Sequence, residues 1–171
     1  MARISFIFVV LLAWCEVTSA QQFGKYFYAV AGPVVVPQSA FTRWNGSFIY
    51  AGGGGEARLI DRFALGGDAG VLKPVTNPFA ITVGLAALTP AYHFMSKKSN
   101  LKIDPFLNGG VSLLFTSGSV SLPPIHYGGG LNYRVREDLG VRFEFRHHLW
   151  SPEGGSTVHL VAFRAGIVVG R

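Results

Sequence analysis

The sequence predicts an all-β chain, an eight-stranded antiparallel up-and-down transmembrane β-barrel. Three observations lead there. The stretch Gly140–Trp150 alternates, with Val141, Phe143, Phe145, His147 and Leu149 on one face and Gly140, Arg142, Glu144, Arg146 and His148 on the other, as a strand requires. Charged residues make up 14% of the chain and glycines number 22, against roughly 25% charge in an ordinary soluble domain. Beyond the N-terminus no apolar run is long enough for a spanning helix, and long and short connections broadly alternate, the loop asymmetry of an outer-membrane barrel.

The N-terminus reads as a signal peptide, residues 1–20. Arg3 supplies positive charge, Ile4 to Ala13 is almost wholly apolar, and Thr18-Ser19-Ala20 offers a cleavage point before Gln21. The single cysteine, Cys15, falls in this segment, and bulky Trp14 before it argues against lipidation. Residues 21–171 then form one β-barrel domain without disulfides or thiolate metal sites. The net charge of +6 is scattered. It suits contact with the phosphates of outer-membrane lipid, and solubility explains it equally well. No motif for nucleic acid is present.

The first strand is expected at about Gly24–Pro33, followed by a long loop, Val34–Gly46, with Phe41 and Trp44. The second, about Ser47–Leu59, carries four glycines, Gly52–Gly55, which allow close approach of large side chains opposite. After a tight turn at Asp61-Arg62 the third, about Phe63–Lys73, sets Phe63, Leu65, Ala69 and Val71 against Gly66, Asp68 and Gly70. The fourth, about Ala80–Phe94, sets Ile81, Val83, Leu85 and Ala87 as the apolar face against Thr82, Gly84 and Ala86, and Tyr92 and Phe94 close it as interface aromatics.

The fifth, about Lys102–Phe115, sets Leu107, Val111, Leu113 and Phe115 against Asn108, Gly110 and Ser112; Thr116–Pro124 is a loop. The sixth, about Ile125–Arg136, sets Tyr127, Leu131, Tyr133 and Val135 against His126, Gly128, Gly130, Asn132 and Arg134. Glu137-Asp138 is a hairpin connection. The alternating Gly140–Trp150 stretch is seventh. The eighth, about Thr157–Val169, sets Val161, Phe163, Ala165 and Ile167 against Arg164 and Gly166.

Which face lies inside decides the class. A polar face meeting water would carry many lysines and glutamates, yet most of it is Gly, Ala, Ser, Thr and Asn. Such a face suits a narrow lumen, where charges must pair. The expected lumen charge network is Glu56, Arg58, Asp68, Arg134, Arg142, Glu144, Arg146 and Arg164. The expected lipid-facing residues include Val141, Phe143, Phe145, Leu131 and Tyr133.

With these strands in place, the chain resembles the small outer-membrane β-barrel family of the OmpA/OmpX type. The resemblance covers Gly24 to Arg171. It rests on the signal peptide, the eight-strand spacing, the Tyr127–Arg136 strand and Arg142-Phe-Glu-Phe-Arg146. It implies a monomer in the bacterial outer membrane with a structural, surface-contact or narrow-channel role. Barrels of this family usually end in an aromatic residue that assembly machinery recognises. This chain ends Val169-Gly170-Arg171, a departure that bears on assembly rather than on fold.

Other chemistry is weighed against this reading. His147-His148 with Ser151, near Glu144 and Glu153, raises a lipid-modifying acyl hydrolase of the lipid A deacylase kind, and His148 is the base it would need. Those enzymes carry histidine and serine two apart. Here the spacing is three, which puts the side chains on opposite faces of a strand, so no catalytic residue is assigned. His126 and His148 share the polar face, but with His147 and His159 they form no carboxylate-backed cage, so neither metal nor cofactor is expected. A soluble periplasmic lipocalin-like barrel binding an apolar ligand is the remaining alternative. Asn45-Gly46-Ser47 reads as a turn. The Val34–Gly46 loop is the expected place for contact with a surface partner.

Overall fold

The computed structural model describes residues 24–37, 46–75, 82–96, 99, 101–116, 119–121, 124–150 and 157–170. The expected signal peptide, residues 1–20, lies outside them, as do Phe41, Trp44, Asn45, Ser151 and Glu153.

The described residues form nine strands: β1 (Lys25–Val36), β2 (Gly46–Arg58), β3 (Phe63–Pro74), β4 (Val83–His93), β5 (Ile103–Thr116), β6 (Ser119–Ser121), β7 (Ile125–Arg134), β8 (Leu139–Trp150) and β9 (Val158–Gly170). Eight of them run antiparallel in one ring, in which β1 pairs with β9 and β4 with β5, so the sheet closes. Closure leaves no strand edge, which is what a sheet surrounded by lipid needs. The short β6 lies in the stretch expected to be loop. It pairs with the end of β5, Leu114 with Ser121 and Thr116 with Ser119, extending that hairpin beyond the ring.

Two ends follow from the connections. The turn end carries residues 59–62, 94–96, 99, 101–102 and 135–138. The connection before β8 is longer than the two residues expected, because the amides of Val135 and Arg136 both donate to the Leu139 carbonyl, at 2.9 and 2.8 Å. The loop end carries the other connections. There β1 continues through Val36, and Val34 and Val36 are buried. The expected Val34–Gly46 surface loop therefore begins three residues later.

Parity along the strands sets the two surfaces. Outward positions carry Phe27, Ile49, Phe63, Leu65, Leu107, Phe143, Phe145, Phe163 and Ile167, all exposed. Phe63, Tyr92 and Phe94 meet edge to face at the turn end, with centroids 5.0 and 5.4 Å apart. Inward positions divide by depth. Toward the loop end they are apolar: Val34, Val36, Phe48, Tyr50, Leu72, Val83, Leu85, Leu114, Val158 and Leu160 form one buried cluster. This corrects the fourth strand, whose Val83 and Leu85 were expected on the outer face. Both are buried, and Leu88 is exposed instead. Their hydrophobicity serves a plug inside the barrel, not contact with lipid.

Candidate functional site

Below the apolar plug the lumen is filled by charged groups that β2, β3, β5, β8 and β9 each project inward. Arg146, from β8, donates to Asp68 Oδ2 at 2.8 Å and to Glu144 Oε1 at 2.8 Å. Arg164, from β9, donates to Asp68 Oδ1 at 3.1 Å and to Glu144 Oε2 at 2.6 Å. Two guanidinium groups thus clamp two carboxylates in a closed square. Tyr28 and Tyr50 add hydroxyl bonds to Asp68 at 3.3 and 3.2 Å, and Asn108 adds one to Glu144 at 2.6 Å. All four charged side chains of the square are nearly inaccessible, Arg146 at 0%.

Arg142 carries the network toward the turn end. It donates to Glu144 at 3.2 Å, lies 3.5 Å from Glu56, and is stacked between the rings of Tyr28 and Phe106, 4.6 and 4.1 Å from their centroids. Glu56 bonds both Tyr26 and His93; His93 Nδ1 faces Asp104 at 2.8 Å; Asp104 pairs with Arg58. Glu56, Asp68, Asp104 and Glu144 face Arg58, Arg142, Arg146 and Arg164 in these pairs, four of each sign. Charges in so dry a space are tolerable only when paired and hydrogen-bonded, and here their formal sum is zero.

The large side chains need clearance on the facing wall. A Cβ on Gly70 would stand 2.6 Å from the Tyr50 ring, and one on Gly130 would stand 2.8 Å from Phe106. Glycine is what lets these rings lie flat against neighbouring backbone.

Of the eight residues expected in the lumen network, seven meet in it. Arg134 does not. It points inward by parity but stands exposed at the turn-end mouth and makes no ion pair among the described residues. The reason is depth: β7 ends there, where the lumen widens into a vestibule of about 270 Å³ lined also by Arg58, Lys102, Asp104 and Arg136. The five residues expected on the lipid side all face outward, with Phe143, Phe145, Leu131 and Tyr133 exposed and Val141 half-buried.

Sequence reading missed His93, Asp104, Tyr26, Tyr28 and Tyr50. Extending the Asn108–Ser112 alternation two steps back would have reached Asp104. His93 was hidden by the reversed faces of the fourth strand.

A second polar layer lies between square and plug. Ser112 Oγ is 2.9 Å from His126 Nδ1 and 3.2 Å from His148 Nδ1, and Thr89 Oγ1 is 3.1 Å from His126 Nε2. The serine near His148 is thus Ser112 across the lumen, and it is 1% exposed. The loop-end pocket beside His148 holds about 10 Å³, room for one water at most.

No family model matches the chain, and no curated protein sequence matches it. Solved structures do. Neisserial surface protein A shares 17% identity, with 86% of this chain and 97% of that one covered, at a TM-score of 0.68. The N-terminal barrel domain of OprF from Pseudomonas aeruginosa shares 17% over the same shares at 0.61. OprG from Pseudomonas aeruginosa shares 12%, with 89% and 98% covered, at 0.56. The chain has the fold of the small eight-stranded outer-membrane β-barrels.

Proposed function

We propose that this protein resides in a bacterial outer membrane as a monomeric, non-conducting and non-enzymatic barrel that serves envelope structure or surface contact. The observation that carries this reading is the distribution of side chains, apolar outside and ion-paired inside. A soluble monomer rarely exposes more than a few hundred Å² of contiguous apolar surface, whereas here exposed Phe, Leu, Ile and Val recur on all eight ring strands. A lipocalin-like barrel would hold an apolar cavity where this one holds the Asp68–Glu144–Arg146–Arg164 square.

The closed lumen supports the absence of a channel. An ion entering from the vestibule meets Arg142 and the square, then the apolar plug. An acyl hydrolase needs a serine within reach of substrate. Ser112 has histidine neighbours but stands sealed in the barrel.

Cell fractionation with heat-modifiable gel mobility, paired with single-channel recording in planar bilayers, tests the proposal. The expected result is a heat-modifiable outer-membrane protein that gives no discrete conductance steps. Recovery in the periplasmic fraction, or steady unit conductance from pure protein, overturns it.

A further inference from the structure

The chain has five histidines, and the fold sorts them. His93, His126 and His148 are buried in the lumen at 0, 1 and 4% exposure, each bonded to lumen partners. His147 and His159 point outward at the loop end, from adjacent strands β8 and β9. The register pairs His147 with Val161 and Leu149 with His159, so the two histidines are diagonal neighbours on one face. Their ring centroids lie 5.2 Å apart with an interplanar angle of 24°. His147 Nε2 lies 3.1 Å from His159 Nδ1. The other nitrogen of His147, Nδ1, is 2.7 Å from the Tyr127 hydroxyl on β7.

We propose that His147 and His159 form a surface site for a divalent transition-metal ion, with His147 Nε2 and His159 Nδ1 as adjacent ligands. Two imidazole nitrogens each about 2.0–2.1 Å from one ion stand about 2.9 Å apart at a right angle and about 3.3 Å apart at a tetrahedral angle. The observed separation of 3.1 Å falls midway in that interval. Neighbouring ligands at right angles suit a tetragonal ion, and Cu²⁺ is the divalent ion that nitrogen donors hold most strongly.

One pair of neutral tautomers suits this. With its proton on Nδ1, His147 donates to the Tyr127 hydroxyl oxygen, the outer hydrogen bond that commonly orients a ligating histidine, and Nε2 keeps its lone pair. In that tautomer the 3.1 Å contact is a hydrogen bond from His159 Nδ1–H to His147 Nε2. On binding, His159 carries its proton on Nε2 instead, and Nδ1 turns its lone pair to the ion. Both ligands stay neutral and no proton is lost. Water or lipid phosphate oxygens complete the shell from the side of His159, which is exposed where His147 is half-buried.

The test is titration of untagged, folded barrel in zwitterionic micelles with Cu²⁺, read by electron paramagnetic resonance. One equivalent is expected, with hyperfine structure from two equatorial nitrogens. His147→Gln and His159→Gln are each expected to weaken binding at least tenfold, and the double variant to abolish the two-nitrogen signal. Tyr127→Phe keeps both nitrogens but weakens binding about tenfold, the lower end for loss of an orienting partner. Heat-modifiable mobility verifies folding of each variant. Should a variant not fold, wild-type protein is treated with diethyl pyrocarbonate with and without Cu²⁺, and protection of His147 and His159 is expected. A signal unchanged in the double variant, a single-nitrogen spectrum, or no protection overturns the site.

Discussion

Arg146 Nη1 lies 2.8 Å from Asp68 Oδ2, joining β8 to β3 across the full width of the lumen, between residues 78 positions apart. That pair, with the Arg164–Asp68 bond, ties β8 and β9 to β3, with which neither shares backbone hydrogen bonds. Its role is to hold the barrel's cross-section while keeping buried charge neutral.

Arg146→Met is therefore expected to destabilise the barrel by about 3–5 kcal/mol, because Asp68 and Glu144 lose a buried counter-charge. Denaturant unfolding in lipid vesicles, followed by tryptophan fluorescence, measures it. Adding Asp68→Asn should recover part of the loss. A single variant as stable as wild type would show that water or another cation enters the square.

Gly70→Val should cost about 1–3 kcal/mol, the usual range for overpacking. Its Cβ would meet the Tyr50 ring and the Ala51 carbonyl oxygen, both at 2.6 Å. Ala69→Val, one residue away on the outer face, should change stability by less than about 0.5 kcal/mol. Equal effects from the two would mean that β3 does not present Gly70 to the lumen.

The reversed fourth strand makes a labelling prediction. A nitroxide on Leu88→Cys should relax strongly with dissolved oxygen, which concentrates in lipid. The same label on Leu85→Cys should not, because Leu85 is 4% exposed and Leu88 54%. Power-saturation measurements in vesicles compare the two sites. Higher oxygen access at Leu85 would reinstate Val83 and Leu85 as lipid-facing.

Phe145→Arg should cost about 2–4 kcal/mol, and Val169→Arg about 0–1 kcal/mol, if the outer face lies in a bilayer. Phe145 packs against Phe163 at 5.3 Å midway along β8, while Val169 pairs with Leu139 at the turn end. Vesicle unfolding of the two variants reads the depth dependence directly. Equal costs would contradict membrane insertion.

Strand alternation is a local property, and it was legible wherever one face was consistently polar. Arg142, Glu144 and Arg146 could be placed on one side of β8 from sequence because Val141, Phe143 and Phe145 lay between them. The same parity placed Asp68 and Arg164. Alternation is ambiguous where both faces are apolar. In Val83–Ala87, hydrophobicity alone does not distinguish lipid from a plug in the lumen, so the pattern was assigned to the wrong side and His93 went with it.

The sequence by itself determined a chain of amphipathic strands with too little charge for a soluble surface, and which residues share a face within most strands. The tertiary structure decided depth and partnership. It separated Arg134 at the mouth from Arg146 in the square, brought Asp104 to His93, and paired His147 with His159. Alternation has a period of two along one strand and records nothing of the stagger between strands. Closure of the ring sets that stagger, and with it which side chains from distant strands meet at one level.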